Sequence, residues 1–165
     1  MRVLFHTNTL NYRGTTVAIT DYAKYNQEIL GNESIIAYNA SLGYEKDMGT
    51  EAVVLHNLRQ KFKIVCYKEG GLQSLVDKEK VDLAYFIRAG HKEGDLVTNT
   101  KTAIHSVFQH YEPHGDRYAY ISEWLSNKMS NGTVPYVPHI VNLPKSDKDF
   151  RKALGIRPDQ DRKST

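Results

Sequence analysis

With 165 residues and 22 basic against 19 acidic side chains, the chain carries a net charge of only +3. That length suits one domain with a core of its own, and so weak a charge excess gives no argument for a nucleic-acid binder, whose footprint is clustered positive charge. A single cysteine, Cys66, excludes an internal disulfide and fits a reducing, cytoplasmic setting, while no run reaches the about 18 apolar residues of a membrane span and no basic, apolar and small-residue succession marks a secretory signal.

The first predicted strand, residues 3–6, leads into a polar turn that ends on Arg13 and Gly14, and an amphipathic helix opens at Thr15. A glycine at a strand-to-helix turn lets backbone approach a ligand, and the free N–H groups and positive dipole end of the helix attract phosphate or carboxylate. Arg13 adds a fixed positive charge. The dinucleotide fingerprint lacks two of its three glycines, and no Gly-Lys-Ser/Thr follows, so neither that motif nor a Walker loop is present. Gly14 as a simple chain-turning residue remains the plainer reading.

Further along, Ala18, Tyr22, Tyr25 and Ile29 mark one helical face, closed by Gly31 as a C-terminal cap. A strand at residues 34–38 precedes a second helix, capped by Thr50 and carrying Leu55, Leu58 and Phe62. The strand at 63–66 places Cys66 in the core. Gly70 and Gly71 then introduce a third helix with Leu72, Leu75 and Val76 as its stripe. Strands follow at 83–87, 102–107 and 118–121, and Ser122 caps a short helix holding Leu125 and Met129. Ser146 and Asp149 have capping-box spacing for a last helix with Phe150 and Leu154 as its apolar pair and Gly155 at its end. Residues 158–165 form a charged tail or the start of a linker.

Continuously apolar strands alternating with helices predict an α/β fold: a doubly wound, mainly parallel sheet with helices on both faces. Ligands in such sheets bind beyond the carboxyl ends of the strands, where strand order reverses. The loops at 8–14, 39–47, 88–95 and 109–116 are therefore where chemistry is expected. Asp82 and Glu123 each stand alone, so no carboxylate pair suggests a glycosidase, and no Gly-x-Ser-x-Gly elbow suggests a serine hydrolase.

Five segments taken together carry a resemblance: the opening strand with Arg13-Gly14, residues 103–108, 113–125, 137–144 and 150–156. In that order they resemble the N-terminal, Rossmann-like half of a retaining GT-B glycosyltransferase, over roughly residues 1–157. The resemblance implies that this half binds the acceptor, a glycan or small molecule, while a C-terminal half grips a nucleotide-sugar donor. It places Arg13, Gly14, Thr15 and Thr16 at the donor phosphates and His105 near the reacting sugar. It implies no cofactor beyond the nucleotide-sugar co-substrate and no metal. The family's Glu-rich donor motif does not occur here, so the resemblance implies a truncated product, an excised domain or one member of a two-chain enzyme whose partner chain binds the donor. An apolar strip left where the second half would pack suggests a homodimer instead. The alternative is a non-enzymatic Rossmann-like module that binds sugar or nucleotide, or docks on another protein.

The remaining candidates each have two readings. His105 is either a hydrogen-bonded structural histidine or a catalytic group that orients the sugar and stabilises charge. His105, His110 and His114, spaced by five and four residues, suggest zinc, but Pro113 and Gly115 interrupt the loop and no helix aligns the rings. His110, Tyr111 and His114 are better read as an acceptor loop that hydrogen-bonds and stacks on sugar rings. Arg88, at a strand end, either pairs with Asp116 or Glu112 or contacts an anion. Tyr12 and Tyr44 fall in loops near the expected cleft.

Overall fold

The computed structural model describes residues 1–42, 49–94, 96–140 and 153–157. Its six apolar runs become six strands: β1 (Arg2–Thr7), β2 (Glu33–Asn39), β3 (Lys63–Tyr67), β4 (Leu83–Arg88), β5 (Lys101–Ser106) and β6 (Arg117–Tyr120). Every pairing is parallel, in the order β3-β2-β1-β4-β5-β6. The helices are α1 (Gly14–Glu28), α2 (Ala52–Arg59), α3 (Leu72–Glu79) and α4 (Glu123–Ser130).

Alternate residues of the central strand feed two cores, as the period of two requires. Val3 and Phe5 pack with Ile19 and Ala23 of α1, Leu55 and Leu58 of α2, and Ile36. Leu4 packs with Leu72 and Val76 of α3, Phe86 and Ile104 on the opposite face. A parallel sheet sealed on both sides is thus what the apolar runs encode.

The face that α1 buries differs from the expected stripe. Thr16, Ala18, Ile19, Ala23 and Asn26 are buried, whereas Tyr22 and Tyr25 are half-buried and Ile29 is 72 % exposed. Small residues bring the helix close to the sheet, and the buried amide is satisfied, Asn26 Nδ2 donating to Ser34 Oγ at 2.8 Å. Ile29 instead rims an apolar groove of about 350 Å³ with Met1, Leu30 and Leu83.

Three further expectations need correction or support. Cys66 is exposed rather than buried, because β3 is an edge strand. Thr50 does not cap α2; its hydroxyl accepts the Leu10 N–H at 3.1 Å, and Glu51 takes the capping position. Ser122 does cap α4, accepting the Leu125 N–H at 3.2 Å. The helix expected from Ser146 and the loop residues Tyr44, Asp47 and Asp95 lie outside the described residues; within the described 153–157, Leu154 is exposed.

The connections β4–β5 and β5–β6 contain no helix among the described residues. Their glycines explain part of this. Gly90 (φ +121°) sits where any Cβ would collide with Ser106 Oγ, and at Gly115 (φ +75°) a Cβ would lie 2.9 Å from Thr102 Oγ1. These loops fold back onto the sheet on the α3 side, where Val97 joins the core.

Candidate functional site

Strand order reverses between β1 and β4, and beyond their carboxyl ends lies a crevice of about 570 Å³. Thr7, Asn8, Arg13, Gly14 and Thr15 form one wall. Arg88 and Glu93 after β4, Val107 and Phe108 after β5, Ile121 and His139 form the rest. Strand order defines a Rossmann-like α/β fold, and the crevice lies at the sheet edge where the sequence places a site.

The β1–α1 turn is held by its own side chains. Asn11 Oδ1 accepts the Arg13 N–H at 3.1 Å, Asn11 Nδ2 donates to Gly49 O at 3.1 Å, and the Thr16 hydroxyl accepts the Asn11 N–H at 3.1 Å. Arg13 is the N-cap in extended conformation with no side-chain cap, and the first turn of α1 holds no acid. Its positive end is thus left uncompensated by α1 itself. Apart from its chain neighbours and the backbone of α1, no described atom lies within 4 Å of where a Cβ on Gly14 would stand, so the space over this backbone is open. Arg13, Gly14 and Thr15 line the crevice; Thr16 is buried beneath it as a strut.

Arg88 lies buried at the end of β4, its guanidinium donating to the Glu93 carbonyl and resting 4.6 Å above the Phe86 ring. Asp116 and Glu112 serve other groups: Asp116 Oδ2 accepts from Thr102 N at 2.8 Å, and Glu112 Oε2 from Lys92 N at 2.9 Å. Arg88 also borders a smaller pocket, about 250 Å³, on the α3 side. Beneath it, burial pushes His6 down to about 3, helped by the Arg88 charge, while His6 Nε2 lies 2.6 Å from Tyr67 Oη.

The other predicted residues scatter. His105 is 2 % exposed, and both ring nitrogens are taken: Nε2 is 2.8 Å from Val137 O and Nδ1 2.6 Å from Tyr85 Oη. Burial is the main cause that pushes its pKa down to about 4. His114 lines the α3-side pocket with its Nδ1 donating to Glu112 O at 2.7 Å. His110 is exposed, its ring 4.8 Å edge-on to His91, and Tyr111 is exposed. Among the described residues, no three His, Cys, Asp or Glu side chains converge on a metal position. Tyr12 borders a separate groove between α1 and α2.

Sequence reasoning missed His139, Phe108 and Glu93. None belongs to a periodic pattern, and His139 reaches the crevice only because residues 135–137 return along β6, where Tyr120 N donates to Pro135 O at 3.0 Å. No helix among the described residues is long and apolar enough to cross a membrane. No protein-family model matches the chain, and no curated protein matches it by sequence.

Proposed function

We propose that the crevice receives the phosphate-bearing part of a nucleotide-sugar, and that this chain is the acceptor-side, N-terminal half of a retaining glycosyltransferase whose other half supplies the remaining donor contacts. The observation that carries the reading is the meeting, in one crevice at the strand-order reversal, of the open α1 N-terminus, Arg13 and Arg88. Two arginines and a helix N-terminus lining one crevice suit a diphosphate, since a guanidinium contacts phosphate oxygens bidentately and the helix end favours negative charge. The open backbone at Gly14 admits the phosphate closely. Phe108 gives a half-apolar wall on which a sugar ring can rest.

Calorimetric titration tests this with UDP-glucose, GDP-mannose and inorganic pyrophosphate. Arg13→Ala is expected to weaken the bound ligand about five- to thirtyfold, corresponding to about 1–2 kcal/mol. Absence of binding for all three at millimolar concentration overturns the reading, as does binding that Arg13→Ala leaves unchanged. Sugar transfer after mixing with a donor-binding half separates the enzyme from a binding module.

A further inference from the structure

We infer that His139, rather than His105, is the imidazole that reads a ligand hydroxyl in the crevice, with Tyr22 as the positioning residue that holds it. The inference rests on the reading that this crevice takes a sugar phosphate.

The argument begins at β6. Beyond it the chain returns, and Val137 N donates to Tyr120 O at 2.8 Å, so Val137 is fixed beside the last strand. Its carbonyl can only accept, so His105 Nε2 must be the donor in their 2.8 Å bond. In a neutral ring Nδ1 is then the acceptor, and the Tyr85 hydroxyl donates to it at 2.6 Å. Burial, with the Tyr22 hydroxyl adding to it, pushes the Tyr85 phenol far up and keeps it a donor. His105 therefore spends both nitrogens inside the protein. It holds the returning segment in place and has nothing left for a ligand.

Two residues after Val137, His139 occupies the position that His105 was expected to fill. It is half-buried and lines the same crevice as Arg13, Gly14 and Thr15. Its Nδ1 lies 2.9 Å from Tyr22 Oη, and its ring stands edge-on to His105 at 5.1 Å and tilted against Tyr22 at 5.8 Å. Packing on two sides and a hydrogen bond at one nitrogen fix the ring. Nε2 makes no hydrogen bond to any described residue, which leaves it as the group that the pair presents. Both ends of the site are set by α1: the anion end by Gly14, and the imidazole end by Tyr22, two turns on. Desolvation lowers the His139 pKa and so favours the neutral ring, which suits a hydroxyl, able to donate or accept, better than a second phosphate oxygen.

Two measurements test the assignment. Diethyl pyrocarbonate modification of the ligand-free chain, mapped by mass spectrometry, is expected to label His139 and spare His105; the reverse pattern, or equal labelling, overturns it. Titration with UDP-glucose is expected to show about a three- to tenfold weakening in His139→Gln, with the affinity for inorganic pyrophosphate kept within about twofold. An unchanged UDP-glucose affinity in that variant sinks this inference alone. Failure of the unaltered chain to bind either probe sinks the sugar-phosphate reading and this inference with it.

Discussion

Strands β1 to β3 are joined through α1 and α2, whose apolar side chains pack on one face of the sheet, whereas β4 to β6 are joined by loops that hold no helix among the described residues and fold back under glycine control. The first half lines the crevice with the β1–α1 turn, including the backbone at Gly14 and the residue Arg13. The second half presents side chains, Arg88, Glu93 and Phe108. Both halves bury polar groups but tie them down differently: Asn11, Thr16, Asn26 and Ser34 of the first half bond within the β1–α1 turn and between α1 and β2, whereas His105, Ser106 and Tyr120 of the second half donate to carbonyls of the loops and the returning segment. The lesson is that a half joined by helices satisfies its buried polar groups locally, at turns and helix faces, whereas a half joined by loops ties its sheet to loop carbonyls.

The sharpest test of that contrast is removal of apolar bulk. Phe86→Ala should cost about 3–5 kcal/mol and Leu4→Ala about 2–5 kcal/mol, read by urea denaturation, since both side chains are fully buried. A much smaller loss at Phe86 would mean that the loops, not the strand packing, hold the second half together.

Next comes the network. His105→Leu leaves the Tyr85 hydroxyl and the Val137 carbonyl without their partner and should cost about 2–4 kcal/mol in the same assay. A pH series sharpens it. The folded-state pKa values of His105 and His6, about 4 and about 3, lie below the ordinary 6.5. Between those values the unfolded chain binds protons that the folded chain does not. Stability is therefore full above about pH 6.5 and falls as pH drops toward 4 and then 3. His105→Leu should flatten the upper part of that fall, and a pH-independent stability would break the argument.

Glycine substitutions give a smaller effect with opposite outcomes in the two halves. Gly90→Ala should lose about 1–3 kcal/mol, because φ is +121° and Ser106 Oγ blocks the new methyl. Gly14→Ala should change thermal stability by no more than about 1 kcal/mol, in the stabilising direction, while weakening pyrophosphate binding. At the low end, Ser122→Ala should remove about 1 kcal/mol by leaving the Leu125 N–H uncapped.

Much of the scaffold was legible. All six strands appear within a residue or two of their expected bounds, because β-branched and aromatic runs of that length have few other uses. The crevice beside Gly14 was legible for the same reason: a turn between an apolar strand and a helix is a local feature. The candidate site was legible only in part. Arg13, Gly14, Thr15 and Arg88 meet in the crevice, whereas Thr16, His105, His110, Tyr111 and His114 do not line it. Their apparent grouping came from nearness along the chain, and strand pleat and loop folding then sent them to different faces.

The amino-acid order by itself determined the six apolar strands, the four helices and the glycine-bearing turn, since each depends on periods and backbone preferences within a few residues. Tertiary structure alone decided that Cys66 sits on an edge, that α1 buries Ala23 and Asn26 rather than Ile29, and that His139 reaches the crevice. Those outcomes depend on contacts such as Tyr22 with His139, 117 residues apart, and His105 with Val137, 32 apart. A hydrogen bond over such separations leaves no period in the chain, because its partners are brought together only when the sheet closes its order.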